Sequence, residues 1–270
     1  AQDVRVRLPL GASVTTTTEV GVGLLARFTD VRTMTDRLAI LLSPEDQVPQ
    51  SMPDASPTKW HRAHTTWFFE EFLLDPAGGY ESFDSAFRFL FNSYYETVGP
   101  RHPRSQRGLI TRPDCAKVGT YRAYVDEHMA AALESGRVND STGLVSLGLN
   151  HEQQHQELLV MDAKHLLSCH PFGPAMIERA ADEDVDAQPL TWRVVEGGLH
   201  AIGHSGEGFP YDNEGPQHRV HLETFEIAER AATNTDWLAF MDDGGYQRAD
   251  LWLSHGWRSV QEQEWVAPAY

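Results

Sequence analysis

His151 and His155 stand at i and i+4 in the run Leu149-Asn150-His151-Glu152-Gln153-Gln154-His155-Gln156-Glu157-Leu158-Leu159. On an α-helix that spacing stacks two imidazoles on one face, one turn apart. Neutral imidazole is a favoured ligand for transition metals, so the pair makes half of a metal site. A second segment offers the rest. Ser56-Pro57-Thr58-Lys59-Trp60-His61-Arg62-Ala63-His64-Thr65-Thr66-Trp67-Phe68-Phe69-Glu70 carries two further histidines in a helical context. If this helix faces the first across a bundle core, one of its imidazoles completes a three-histidine set. Such a set leaves positions open for substrate and dioxygen, or for water. The i,i+3 spacing of His61 and His64 leaves the choice between them open. Apolar periodicity favours His64, one turn before Phe68.

Two other readings compete. In a chain with 13 histidines, an i,i+4 pair can arise as a surface coincidence. The same five residues, His151-Glu152-Gln153-Gln154-His155, also satisfy the H-E-x-x-H pattern of zinc metallopeptidases, with Glu152 as the base. The extended form of that motif fails, because Leu158 and Met161 occupy its glycine and third-histidine positions. Glu178 could serve as a downstream carboxylate. The Pro171 to Pro174 break argues against a rigid second ligand helix there.

The elements that must position these side chains are mostly helices. Glu19 to Leu42 has Val22, Leu24, Leu25, Phe28, Val31 and Leu38 at helical spacing. Ser56 as N-cap with Pro57 at the first position opens the next helix, whose apolar-aromatic face runs to Leu74. Ser85 to Val98, rich in Phe and Tyr, reads as a third. Pro100 to Pro113 is a loop dense in Arg, Pro and Gly. Asp114 to Leu133 and Ser141 to Leu167 complete a set of amphipathic helices, the pattern of an up-and-down bundle.

The text changes after Cys169. His170-Pro171-Phe172-Gly173-Pro174 is a breaker, and Ala180 to Pro189 an acidic linker. From Trp192 onward short strands and Gly-rich turns predict a mixed α+β segment, with only Asn234 to Asp242 helical. Asp212, Asn213 and Glu214 read as a turn rather than a cation site. The boundaries are then an extension over 1–18, the bundle over 19–170, a linker over 171–191 and the α+β segment over 192–270.

Composition limits the partners. With 39 acidic against 22 basic residues the formal charge is −17, which argues against nucleic acid or an anionic membrane. At 270 residues the chain accommodates two domains. Cys115 and Cys169 make no disulfide framework and read as buried or free thiols of a cytoplasmic protein. The N-terminal residues lack the apolar core of a signal peptide, and no run approaches a membrane span.

Several stretches together resemble the iron-dependent sulfoxide synthases of ergothioneine biosynthesis. They are Ser51-Met52-Pro53-Asp54-Ala55-Ser56-Pro57, Trp60 to Phe68, His151 to Leu158, Tyr211-Asp212-Asn213-Glu214-Gly215-Pro216-Gln217-His218, Thr233-Asn234, Gly244-Gly245-Tyr246 and Leu251-Trp252-Leu253-Ser254. The resemblance covers nearly everything after about Glu19. It implies an α+β chain: a DinB-like helical bundle followed by the first part of a C-type-lectin-like, formylglycine-generating-enzyme-like domain. It also implies Fe(II) held by His64, His151 and His155, with His61 a neighbour. The implied reaction joins the thiol of γ-glutamylcysteine to the imidazole of Nα-trimethylhistidine (hercynine) with O2, giving a sulfoxide. Arg101 and Arg104 match two arginines that bind the γ-glutamylcysteine carboxylates, and arginine forks suit carboxylates. Gln154 matches a residue on the trimethylhistidine side. The family's active-site tyrosine lies beyond the equivalent of Tyr270, so no catalytic side chain is assigned. A second polypeptide completing the domain is then a further expectation. A DinB-like metal-dependent thiol transferase, an ovothiol-type synthase using cysteine, and a non-catalytic metal- or thiol-binding fragment are the alternatives.

Overall fold

The computed structural model describes residues 17–178 and 188–268. The N-terminal extension to residue 16, most of the acidic linker and Tyr270 lie outside them. The chain divides into two compact units, 1–178 and 179–270, and its fold class is α+β, helical first and mixed second.

Four long helices build the first unit: α1 (Thr17–Ala39), α2 (Thr58–Phe69), and, after the short turns α3 (Asp75–Ala77) and α4 (Phe87–Leu90), α5 (Cys115–Glu134) and α6 (Thr142–Ser168). Helices α1 and α2 each pack against both α5 and α6, so the four form a bundle with α1 and α2 on one diagonal. The apolar stripe of each helix meets in one core. Phe28, Trp67, Phe69, Val125, Met129, Val145 and Leu149 are among the side chains buried in it. Gly148 lets α6 approach α2 closely: a Cβ there would lie 2.8 Å from ring atoms of both Phe68 and Phe69.

Two expected starts and stops differ. Ser56 does not cap α2, which begins at Thr58 with Pro57 before it and no side-chain cap. The Ser56 hydroxyl instead accepts a hydrogen bond from Arg107, and its backbone N–H donates to Asp162. The expected helix over Ser85–Val98 shrinks to Phe87–Leu90. Asn92 explains the break. Its Oδ1 accepts from the Tyr95 N–H, and its Nδ2 donates to the Tyr95 and Gly99 carbonyls. A short amide side chain thus competes with the helix for backbone partners. Beyond α2 the chain continues as π-helical turns over Glu70–Leu74. There the buried Glu70 carboxylate accepts from the hydroxyls of Tyr80 and Tyr121 and from the Phe83 N–H.

In the second unit β1 (Trp192–Val195) pairs antiparallel with β4 (Phe225–Ala228), and β2 (Gly198–Ile202) with β3 (His218–Leu222). The pairs nest in one another. Their ladders separate where Gly197 meets Thr224, whose hydroxyl accepts the Gly197 N–H. Asp212–Glu214 is a single 3-10 turn, as expected. Helix α7 (Asn234–Asp242) opens with a capping box between Thr233 and Asp236. Helix α8 (Ser254–Glu262) was not expected. Both cysteines are free thiols, Cys115 half-buried and Cys169 exposed. Among the described residues no helix is long and apolar enough to cross a membrane.

Candidate metal centre

Helix α2 holds His64 rigidly. Its ring lies between Trp60, one turn earlier, at 4.5 Å and 13° between planes, and Trp67 at 5.6 Å and 17°. Its Nδ1 donates to the Phe91 carbonyl at 2.6 Å. That carbonyl is available because α4 stops there, so the broken helix supplies the histidine's partner. With Nδ1–H committed, Nε2 keeps its lone pair.

Helix α6 brings His151 and His155 to the same place. The ring centroids lie 5.1 Å (His64–His151), 4.8 Å (His64–His155) and 4.6 Å (His151–His155) apart. One nitrogen from each falls within 4.8 Å of the others, and among the described residues this is the one cluster of three or more potential ligands. Phe68 packs on His151 at 5.0 Å. Of the two α2 histidines, it is His64 that lies in this cluster. His61 instead bonds His155, Nδ1 to Nδ1, at 2.8 Å, and its Nε2 lies 3.0 Å from Asp162 Oδ2.

Burial keeps these imidazoles neutral. It pushes His64 and His155 well below the ordinary histidine value, and repulsion from neighbouring histidines pushes each the same way. His151 is lowered to about 4, mainly by burial. Neutral rings are what metal binding needs. His151 Nδ1 is buried without a hydrogen-bond partner among the described residues, as a nitrogen reserved for a metal or substrate would be. Three uncharged nitrogen donors fit a divalent iron, cobalt or zinc ion and do not suit magnesium or calcium.

Glu152 turns away from this cluster. Its carboxylate is fully buried and accepts from Arg32 at 2.8 Å, Thr35 at 2.7 Å and Arg122 at 3.2 Å. Burial alone would raise its pKa, but the two guanidiniums hold it below the usual carboxylate value. Asp126 and Asp36 complete the ion network on the arginines. A carboxylate so engaged cannot activate a water at the histidines, and the H-E-x-x-H coincidence carries no peptidase chemistry.

The expected substrate residues sit on exposed surface. Arg101 lies 3.6 Å from Glu96, and both side chains are exposed. Arg104 donates to the Tyr94 hydroxyl at 2.9 Å and to the Asp54 carbonyl. Gln154 is exposed on α6, flanking the face that carries His151 and His155. Sequence reasoning missed Arg107. Its guanidinium lies 3.3 Å over the Trp60 ring and donates to Ser56 and Ser93. Burial and the neighbouring Arg104 lower it to about 10. It also missed Asp162, although the i,i+7 spacing from His155 places both on one helix face.

Residues 180–269 match the sulfatase-modifying factor enzyme 1-like domain. The chain is 33% identical over 171 residues to a protein named hercynine oxygenase from Mycolicibacterium smegmatis, covering 63% of this chain and 39% of that protein. With the hercynine oxygenase of Mycobacterium tuberculosis it shares 28% identity over 221 residues, 81% of this chain and 50% of the other. The chain is thus similar in sequence to proteins named hercynine oxygenase, in agreement with the resemblance read from its motifs. The formylglycine-generating enzyme of Streptomyces coelicolor is 39% identical over 71 residues, 25% of this chain and 23% of that enzyme. The chain spans about half the length, or less, of the hercynine oxygenases it matches.

Proposed function

We propose that this chain carries the metal-binding part of a hercynine oxygenase, a non-haem Fe(II), O2-dependent sulfoxide synthase. It would join the thiol of γ-glutamylcysteine to the imidazole of Nα-trimethylhistidine in ergothioneine biosynthesis. The observation that carries the reading is the set of three neutral imidazoles on two facing helices, His64 buried and His151 and His155 half-buried, in a chain similar to enzymes of that name. The second unit, with its sulfatase-modifying-factor match, favours this reading over a thiol transferase that needs only the bundle.

His64, His151 and His155 would hold the iron. When bound, the iron supplies a template for thiolate, imidazole and dioxygen and the redox capacity to couple them. The protein's own part is positional. Trp60 and Trp67 clamp His64, and Phe68 packs on His151, which fixes the rings on the core side. Arg101 and Arg104 would take the γ-glutamylcysteine carboxylates by paired charge-assisted hydrogen bonds, exchanging their present contacts for ligand. Gln154 would face the trimethylhistidine. No protein nucleophile is needed.

Oxygen consumption by the Fe(II)-loaded chain, measured with each substrate alone and with both, tests the reading. Consumption that needs both substrates and yields a thioether sulfoxide supports it. Consumption indifferent to trimethylhistidine, or thiol transfer without oxygen, contradicts it.

A further inference from the structure

The structure assigns His61 a positioning role: anchored by Asp162, it fixes the tautomer and ring plane of His155, so that Nε2 of His155 is the nitrogen turned to His64 and His151. This rests on the three-histidine reading of the centre, and three contacts carry it. Asp162 Oδ2 accepts the Ser56 backbone N–H at 2.8 Å, which pins the carboxylate. The same oxygen lies 3.0 Å from His61 Nε2, and His61 Nδ1 lies 2.8 Å from His155 Nδ1. His61 and Asp162 are both buried, at 2% and 7% exposure.

The polarity of this chain follows from donor and acceptor chemistry. A carboxylate only accepts, so His61 Nε2 must carry the proton. A neutral imidazole has one N–H, so His61 Nδ1 is bare and can only accept. The proton between the two rings therefore belongs to His155 Nδ1. His155 Nε2 is left with its lone pair, the form a ligand requires. The reverse arrangement would set two lone pairs against each other at 3.0 Å. Geometry supports the same end, because His155 and Asp162 lie two turns apart on one face of α6, and His61 reaches from α2 to bridge them.

The metal-free protein, labelled with 15N at histidine, reads the tautomer directly by long-range proton–nitrogen correlation. His155 is expected as the Nδ1–H form. His61→Phe removes the acceptor and should return His155 to the Nε2–H form that free imidazoles of histidine favour. His61→Asn sets an amide oxygen near the lost Nδ1 and should restore the Nδ1–H form. Zn(II) titration should show a roughly 10- to 100-fold weaker site in His61→Phe, the usual effect of losing an outer partner of a ligand histidine, and partial recovery in His61→Asn. An Nε2–H form of His155 in the unsubstituted protein overturns the inference, and so does unchanged Zn(II) affinity in His61→Phe. Should His61→Phe not fold, the unsubstituted protein and His61→Asn still decide. Failure of the unsubstituted protein to bind Zn(II) would reject the three-histidine centre, while the tautomer alone would still report the relay.

Discussion

Gly148→Ala tests whether the approach of α2 and α6 sets the metal centre. The added Cβ would lie 2.8 Å from Cε1 of Phe68, 2.8 Å from Cε1 of Phe69 and 3.0 Å from Cζ of Phe69. Carbon atoms in good contact stand about 3.5–4.0 Å apart, so the shortfall is roughly 0.7 Å. The rings have nowhere to retreat. Phe69 is edge-on to Phe28 at 5.1 Å, Phe68 lies 5.0 Å from Phe72, and both phenylalanines are buried. Overpacking of this kind costs about 1–3 kcal/mol, while alanine returns up to about 1 kcal/mol of helix propensity. The net loss of stability is then about 0–3 kcal/mol. The metal site is the more sensitive reporter, because His151 lies one turn along from Gly148 and His64 one turn from Phe68. Ligand distances tolerate about 0.2 Å, less than the separation the new methyl group demands. Zn(II) affinity should fall by about tenfold or more, measured by titration beside urea unfolding. Gly119→Ala on α5, where a Cβ meets nothing within 4 Å, should instead stabilise by about 1 kcal/mol. Unchanged metal affinity in Gly148→Ala would refute the reasoning.

Other substitutions probe separate parts of the site. Glu152→Ala leaves Arg32 and Arg122 facing a buried hole and should destabilise by about 3–5 kcal/mol in urea; unchanged stability would contradict its role as the counter-ion of the bundle. The metal-free protein should lose stability as pH falls from 6.5 toward about 4. The unfolded chain takes up protons on its histidines there, while burial keeps folded His151 neutral down to about 4. Each such histidine contributes a slope of about 1.4 kcal/mol per pH unit, and His151→Gln should flatten the profile; identical profiles would count against the burial argument. Arg101→Leu with Arg104→Leu should weaken γ-glutamylcysteine by roughly 10- to 100-fold, as expected for losing a charge-assisted hydrogen bond, and spare trimethylhistidine. Calorimetry that finds both substrates weakened equally would remove those arginines from the thiol side.

The candidate three-histidine cluster was legible where its chemistry follows from periodicity. The i,i+4 pair of His151 and His155 needs only a helix, and the apolar stripe of α2 was enough to favour His64 over His61. What stayed hidden depends on contacts distant in sequence. Asn92 breaks the expected helix by taking backbone partners of its own, and the freed Phe91 carbonyl then locks His64. Glu152 looked like a peptidase base because the pattern says nothing of Arg32, 120 residues away. Arg107 looked like another loop arginine, and only the fold shows it over Trp60. The α7 start was readable from Thr233 and Asp236, whereas α8 has no comparable side-chain cap.

Anaerobic Fe(II) titration of the chain and of its single His→Ala variants tests the central claim most directly. One equivalent should bind to the unsubstituted chain, and stoichiometric binding should vanish in His64→Ala, His151→Ala and His155→Ala alike. Full stoichiometric binding in any of these three variants, with the fold intact, would contradict the three-histidine centre.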